Sequence, residues 1–361
     1  MPRSMARLGI VGFTNSGKTT LFNALTGLGA ATAAHPFSTT EPNQGVARVP
    51  DPRLEEVARV EGSSKVTPAV LELLDLPALA RGGHSSSGQD LARLREVEAI
   101  VVVLRSFTDE SVPDDGAGID PIGAAEELLL ELAVADHEVF SRKNERLTKE
   151  AMLDQGKRQL AGTIGDATEV LAGGEALRLQ DWTEDARQAF RDLAPLTLKP
   201  TVWVINVDEG ATDSEKLEVG LRSVVPPADQ VVVLSAKLEE EGAQLSEAER
   251  AELFEELGLG ECALAAMVRA TYQSLGLLSF YTVGPKESRA WTVRAGALAP
   301  EAAGRIHSDL ERGFIRAEVA PLDDVIAAGG WDAAKRAGVI RVEGKSYQVA
   351  ASDVLVIRFS V

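Results

Sequence analysis

Eight residues at 12–19, G-F-T-N-S-G-K-T, fill the pattern G-x-x-x-x-G-K-[ST] completely. The chemistry of that pattern is phosphate binding. Gly12 and Gly17 let the backbone turn tightly, so that successive N–H groups across Asn15, Ser16, Gly17, Lys18, Thr19 and Thr20 face an anion. Lys18 is placed to reach the β- and γ-phosphates of a nucleotide, and the Thr19 hydroxyl to take one Mg²⁺ position. The flanks are those the mechanism needs. A strand-like R-L-G-I-V precedes, and T-T-L-F-N-A-L-T continues as a helix whose N-terminus adds partial positive charge. A chance glycine-rich turn would not carry both flanks.

Two further groups bear on a metal-bound phosphate. Asp75 ends V-L-E-L-L-D, where a strand-ending carboxylate can hold Mg²⁺ through water. Between it and the phosphate loop lies H-P-F-S-T-T-E-P-N-Q-G, a polar stretch at the place of a nucleotide-sensing switch. Thr39 is the candidate second metal and γ-phosphate ligand there, with Thr40 as the alternative.

N-V-D-E at 206–209 comes directly after the apolar run T-V-W-V-I. A guanine reader would carry Asn-x-x-Asp at such a strand end. Here Asp208 comes one place early and Glu209 stands fourth. Alternation along a strand points Asp208 to the opposite face, and Glu209 adds a methylene to the usual acceptor. Asn206 can still contact a base and tie its strand to the phosphate loop. S-A-K, Ser235 to Lys237 through Ala236, falls where a second base-binding loop belongs. On the residues alone, N-V-D-E is a decayed guanine motif, an adenine-compatible one, or a strand-ending turn.

These groups need a scaffold, and the hydrophobic pattern supplies one. Strands are expected at 7–12, 69–75, 99–105, 201–206 and 230–235, rich in Val, Ile and Leu. Near-continuous runs such as A-I-V-V-V-L suit strands covered on both faces. Their alternation with helical stretches predicts an α/β domain around a mainly parallel sheet. Residues 121–195 read as a helical hairpin inserted into that domain, interrupted at Gly173-Gly174. Ser246 and Glu249 form a capping-box pattern that opens a helix, and a second helix is expected at 261–275. From 278 onward short alternating strands (S-F-Y-T-V, R-A-W-T-V, V-I-R-V, Y-Q-V, V-L-V-I-R-F) surround one helix near 300–311, which is a small α+β domain.

Composition narrows the class. The 361 residues include one cysteine, Cys262, which excludes an intramolecular disulfide and suits a reducing compartment. The start M-P-R-S-M-A-R leads directly into a strand, and no apolar run is long enough for a bilayer. A cytoplasmic protein without membrane attachment, and a monomer, is the expectation. The net charge of −18 disfavours non-specific adhesion to nucleic acid. Residues 279–361 carry 11 Lys/Arg against 10 Asp/Glu, so contact with RNA is easier through that part.

G-F-T-N-S-G-K-T-T-L-F-N-A-L-T, P-F-S-T-T-E-P-N-Q-G-V-A-R-V-P-D-P-R-L, N-V-D-E and A-P-E-A-A-G-R-I-H-S-D-L-E-R-G-F-I-R-A-E-V together resemble the YchF group of Obg-like ATPases. The likeness covers nearly the whole chain and is weakest across 150–195. It implies a Ras-like P-loop domain at 1–120 and 196–277, a helical coiled-coil insertion at 121–195, and a β-grasp-like TGS domain at 278–361. It also decides how N-V-D-E reads. Members of the group carry Asn-x-x-Glu here, which implies adenine-preferring or relaxed recognition, with ATP (or GTP) and Mg²⁺ as ligands. The implied activity is hydrolysis of ATP to ADP and phosphate, in a ribosome- or stress-linked role. The alternative is a nucleotide-gated module that docks on a ribosome or RNA through the TGS-like domain, its hydrolysis vestigial. A P-loop kinase is disfavoured, because no arginine-rich lid is evident.

The sequence departs from the group at D-L-P-A, 75–78, where relatives read D-I-A-G. Ala78 keeps a backbone N–H but tolerates positive φ poorly, so a sluggish switch is expected. Leu79 occupies the place of the glutamine that orients water in Ras-like enzymes. The loop histidine of relatives corresponds to Asp114, and His84 is at most a substitute. Slow intrinsic turnover is the consequence, with no catalytic residue assigned.

Overall fold

Every strand expected at a phosphate- or base-binding edge forms in the computed structural model, which describes residues 6–27, 43–79, 88–112, 118–152, 154–257 and 263–360. Thr39, Thr40, His84, Asp114 and Cys262 lie outside the described residues. In chain order the strands are β1 (Arg7–Val11), β2 (Asn43–Arg48), β3 (Val66–Thr67), β4 (Val70–Asp75), β5 (Ala99–Ser106), β6 (Thr201–Val207), β7 (Gln230–Leu234), β8 (Leu277–Thr282), β9 (Ser288–Arg294), β10 (Phe314–Pro321), β11 (Arg341–Glu343) and β12 (Asp353–Phe359).

Among the described residues, those within 7–45 and 73–267 form one unit; 46–72 and 268–360, with Ala6, form the other. The first sheet runs β2-β4-β1-β5-β6-β7, with β1, β5, β6 and β7 paired parallel. β5 and β6 are its centre. Residues 99–104 and all seven residues of β6 are buried, as uninterrupted apolar runs between two helical layers require. The resulting order brings the C-terminal ends of β1, β4, β5 and β6 to one edge, where doubly wound sheets place their ligands. β2 was not among the expected strands. Its N-Q-G-V-A-R alternates in exposure and contains a glycine, and neither feature signals a buried strand.

The insertion opens with the helix Pro121–Ala151, capped by Asp120, whose Oδ1 accepts from the Gly123 amide at 3.0 Å. The helix Arg158–Ala172 packs against it and stops at Gly173, with Gly174 at φ +78°. Phe140, Leu147, Ile164, Leu171, Leu177 and Phe190 form a core of its own there. Asp136 anchors the insertion to the segment that leads into β6. Fully buried, it accepts from the amides of Leu196 and Thr197, the Thr197 hydroxyl and Arg95 Nη1. A buried carboxylate with four donors is satisfied in every direction it needs. The Ser246–Glu249 capping box forms as read, and the next helix spans Ala263–Ser274.

The second sheet runs β11-β10-β12-β8-β9-β3. β8 and β9 form an antiparallel hairpin, and β12 returns parallel to β8 with β10 antiparallel beside it. This is the β-grasp order. The helix Ala299–Ile306 covers one face through Ala299, Ala302 and Ala303, packed with Phe280, Val293, Phe314 and Leu355. The single helix expected near 300–311 is two, since His307 sits in extended backbone between Ile306 and the helix Ser308–Arg312. β10 escaped the reading because charged residues interrupt F-I-R-A-E-V-A-P. Y-Q-V at 347–349 makes only the isolated bridge Leu298↔Gln348.

Residues 46–72 belong to this same unit, although they precede Asp75 in the chain. β3 pairs parallel with β9, Val66 opposite Ser288. The Ser63 hydroxyl donates to Gly284 O at 2.8 Å. The helix Pro52–Glu61 is capped by Asp51, whose second carboxylate oxygen accepts the Tyr281 hydroxyl. Among the described residues no helix is long and apolar enough to cross a membrane.

Candidate functional site

The phosphate loop begins where β1 ends and closes at Gly17, which is left-handed at φ +93°. A side chain there is excluded twice over. The backbone favours glycine, and an added Cβ would lie 2.2 Å from Asn206 Nδ2. Asn15 is also left-handed, at φ +59°, a conformation asparagine tolerates better than most residues. Lys18 stands at the start of the helix Lys18–Thr26, nearly buried, with Nζ donating to Phe13 O at 2.9 Å. Burial lowers its pKa to about 8, against the opposing pull of the Asp75 carboxylate.

Thr19 and Asp75 meet as the sequence suggested: the Thr19 hydroxyl donates to Asp75 Oδ2 at 2.9 Å. The same oxygen accepts Asn43 Nδ2 at 3.1 Å. Oδ1 of this buried carboxylate has no partner among the described residues.

Asn206 joins three loops. Its Nδ2 donates to Ser16 O at 3.1 Å, and its Oδ1 accepts the Ala236 amide at 2.9 Å. The end of β6 is thereby fixed to the phosphate loop and to the S-A-K loop after β7. Ser235 caps the helix Ala236–Gly242. Glu209 pairs with Lys237 at 3.3 Å, and that hydrogen-bonded carboxylate raises the lysine pKa.

Asp208 corrects a sequence expectation. It does not turn away from the site. β6 ends at Val207, so strand alternation no longer governs residue 208, and both Asp208 and Glu209 face the same cavity. That cavity, about 690 Å³, is lined by Asn15 to Thr20, Asp75 to Ala78, Asn206 to Glu209, Ser235 and Lys237. Ala236 lies beneath the wall, fully buried, and contributes through its amide to Asn206. All the expected site residues except Thr39, which is outside the described residues, thus converge.

Sequence reading missed the wall to which Phe107, Thr108, Asp109, Ser111 and Glu240 contribute, and it missed Asn43, which reaches the site through its bond to Asp75. Phe107 lies under the Arg105 guanidinium, 4.8 Å from its carbon to the ring centre. The one available signal was position, since the residues just beyond β5 must border a site at that sheet edge. The hydroxyl and amide of Ser111 hold the Asp109 carboxyl below its usual range. Glu240 accepts Asn23 Nδ2 at 2.7 Å, which joins the phosphate-loop helix to the helix after S-A-K.

Beyond Asp75 the chain runs beside the phosphate loop. The Leu79 amide donates to Gly12 O at 3.1 Å, and the Leu79 side chain is buried. Ala78 holds a negative φ in this conformation, so the steric cost expected of alanine is absent from it.

The 50S ribosome-binding GTPase family matches residues 7–137, and the YchF-GTPase C-terminal family matches residues 277–360. The Ribosome-binding ATPase YchF of Bacillus subtilis is 38% identical, over 98% of this chain and 99% of its own. Obg-like ATPase 1 of Gallus gallus is 31% identical over 98% and 92%. The solved structure of the Schizosaccharomyces pombe YchF GTPase superposes with a TM-score of 0.86 at 26% identity, covering 99% of each chain.

Proposed function

The chain belongs to the YchF family of P-loop nucleoside triphosphatases, and from that premise we propose that it is an ATP-preferring, ribosome-associated ATPase with slow intrinsic turnover. The observation that carries the reading is the convergence of Lys18, Thr19 and Asp75 with Asn206 and Glu209 on one cavity. A phosphate-binding end and a base-binding end are thereby held by the same wall.

Each group has a role in binding. The amides at the helix N-terminus and the Lys18 ammonium offset the charge of the phosphates. Thr19 and Asp75 would hold Mg²⁺. Hard oxygen donors with Asp75 Oδ1 unengaged fit that cation, which when bound neutralises charge across the β- and γ-phosphates. Asn206 keeps the phosphate loop and the base loop in register. Glu209 supports adenine over guanine. Its carboxylate is one methylene longer than the aspartate that pairs with guanine, and Lys237 already holds it.

Hydrolysis transfers the γ-phosphoryl group to water and yields ADP and phosphate. The position after Ala78 offers only the buried side chain of Leu79 to orient that water, which supports slow turnover until a partner completes the site. The Bacillus subtilis relative is named as a ribosome-binding ATPase, which supports a ribosomal partner and a cytoplasmic location. The mixed charge of the C-terminal part makes it the docking surface in this reading.

Calorimetric titration with ATP, GTP, ADP and GDP in Mg²⁺ tests nucleotide preference. Ribosome co-sedimentation of wild type and Lys18→Ala, each with and without ATP, tests the partner. ATP binding at least tenfold tighter than GTP, with ribosome association that responds to ATP only in wild type, is expected. Equal GTP affinity or nucleotide-indifferent association overturns the corresponding half.

A further inference from the structure

Asp75 Oδ2 accepts two hydrogen bonds, one from the Thr19 hydroxyl and one from Asn43 Nδ2. Thr19 belongs to the phosphate loop; Asn43 opens β2, 32 residues before Asp75. We propose that Asn43 is a positioning residue for the Mg²⁺–nucleotide form of this site, a role that rests on the site being a nucleotide site.

A carboxylate that must offer one oxygen to a metal-bound water can rotate about its terminal torsion, which is a broad, soft degree of freedom. One donor on Oδ2 leaves that rotation weakly restrained. Two donors from different directions fix the carboxylate plane, and Oδ1, which no described residue engages, is left for the cation side. The Thr19 hydroxyl cannot do this alone. Its oxygen is the expected metal ligand, and its proton must still find an acceptor, which is again Oδ2. An amide donor with no metal role of its own is therefore the group that sets the carboxylate. Asn43 is half-buried beside a nearly fully buried Asp75, so the hydrogen bond competes little with water. Outer partners of metal-binding carboxylates carry about 10- to 100-fold of the metal affinity in comparable sites.

The test reads the metal effect, not turnover. A fluorescent ATP analogue is titrated into the full-length protein in Mg²⁺ and in EDTA, for wild type, Asn43→Ala, Asn43→Leu and Asn43→Gln. Thermal midpoints without nucleotide confirm that each variant is folded. Wild type should bind more tightly in Mg²⁺ than in EDTA. Asn43→Ala and Asn43→Leu should lose about tenfold or more of that Mg²⁺-dependent tightening while their affinity in EDTA stays at the wild-type value. Asn43→Gln, which keeps an amide donor, should retain more of it than either. A full Mg²⁺ effect in Asn43→Leu overturns the proposal, because volume without a donor would suffice. A parallel loss in Mg²⁺ and EDTA also overturns it, since that is the signature of a merely structural residue. Wild type that binds no nucleotide would sink the functional reading itself, a result distinct from either.

Discussion

Asp208 holds Thr108 twice, accepting its amide at 3.0 Å and its hydroxyl at 3.1 Å on the same carboxylate oxygen. β5 and β6 are adjacent and parallel, with Ser106 opposite Val207, so this clamp joins the turns beyond them at the rim of one cavity. The residue that looked like a displaced guanine reader is a brace between two walls.

Asp208→Ala should therefore weaken ATP and GTP binding together, by about three- to tenfold, as loss of an exposed charge-assisted contact worth about 1 kcal/mol implies. Calorimetry with both nucleotides checks it. A changed ATP-to-GTP ratio would mean that Asp208 reads the base after all.

Glu209 is where base preference should respond. Glu209→Asp restores the shorter carboxylate at the fourth position of Asn-x-x-Asp and removes the reach to Lys237 seen at 3.3 Å. GTP affinity should rise about tenfold relative to ATP, the worth of roughly one hydrogen-bonded acceptor. Competition of unlabelled ATP and GTP against a labelled nucleotide measures the ratio directly. No shift would move the discrimination to backbone groups.

Lys18 gives the site a pH dependence with a definite sign. Its pKa falls from 10.5 to about 8 on folding, chiefly through burial. Between those values the unfolded chain binds more protons than the folded one, so this group's contribution to stability of the nucleotide-free protein rises with pH across that window. Nucleotide binding works the other way. Phosphates favour the ammonium, so binding at about pH 8.5–9 should take up a proton that binding at about pH 7 does not, and affinity should fall as pH rises past about 8. Calorimetry in buffers of different ionisation enthalpy reads the proton directly. Proton uptake that persists unchanged in Lys18→Met would assign it to another group.

Local patterns made the phosphate end legible, and tertiary geometry hid the rest. G-F-T-N-S-G-K-T names its own conformation, because glycine at 17 is required both by φ +93° and by the approach of Asn206. Asp75 and Asn206 end strongly apolar strands, so the strand pattern placed them at the sheet edge. Asn43 carried no such signal. Its role depends on a partner 32 residues away, and its strand is mostly polar and carries a glycine. The allocation of residues 46–72 to the C-terminal unit was equally invisible. β3 pairs with β9 far along the chain, Val66 with Ser288, and a two-residue strand leaves no periodicity to read. Asp208 misled because alternation was extended one residue beyond the end of β6.

Leu79 bears on turnover. Its position invites Leu79→Gln as a repair, since a glutamine orients water in Ras-like enzymes. The surroundings of the side chain oppose that repair. The Leu79 backbone is pinned to Gly12 O and paired with Phe13, and its side chain belongs to the buried apolar cluster that also holds Val11, Leu76 and Leu94. A glutamine in that conformation would direct its amide into an apolar cluster and not toward the cavity. Burying an unpaired amide costs about 1–3 kcal/mol, with the lost packing of leucine added. Leu79→Gln should lower the thermal midpoint by several degrees and leave single-turnover hydrolysis within about threefold of wild type, on the order of 10⁻³ s⁻¹ or slower. Rapid-quench measurements with excess enzyme decide the matter. An acceleration of about tenfold or more would show that this segment leaves the core during catalysis, and that the buried Leu79 belongs to the resting state alone.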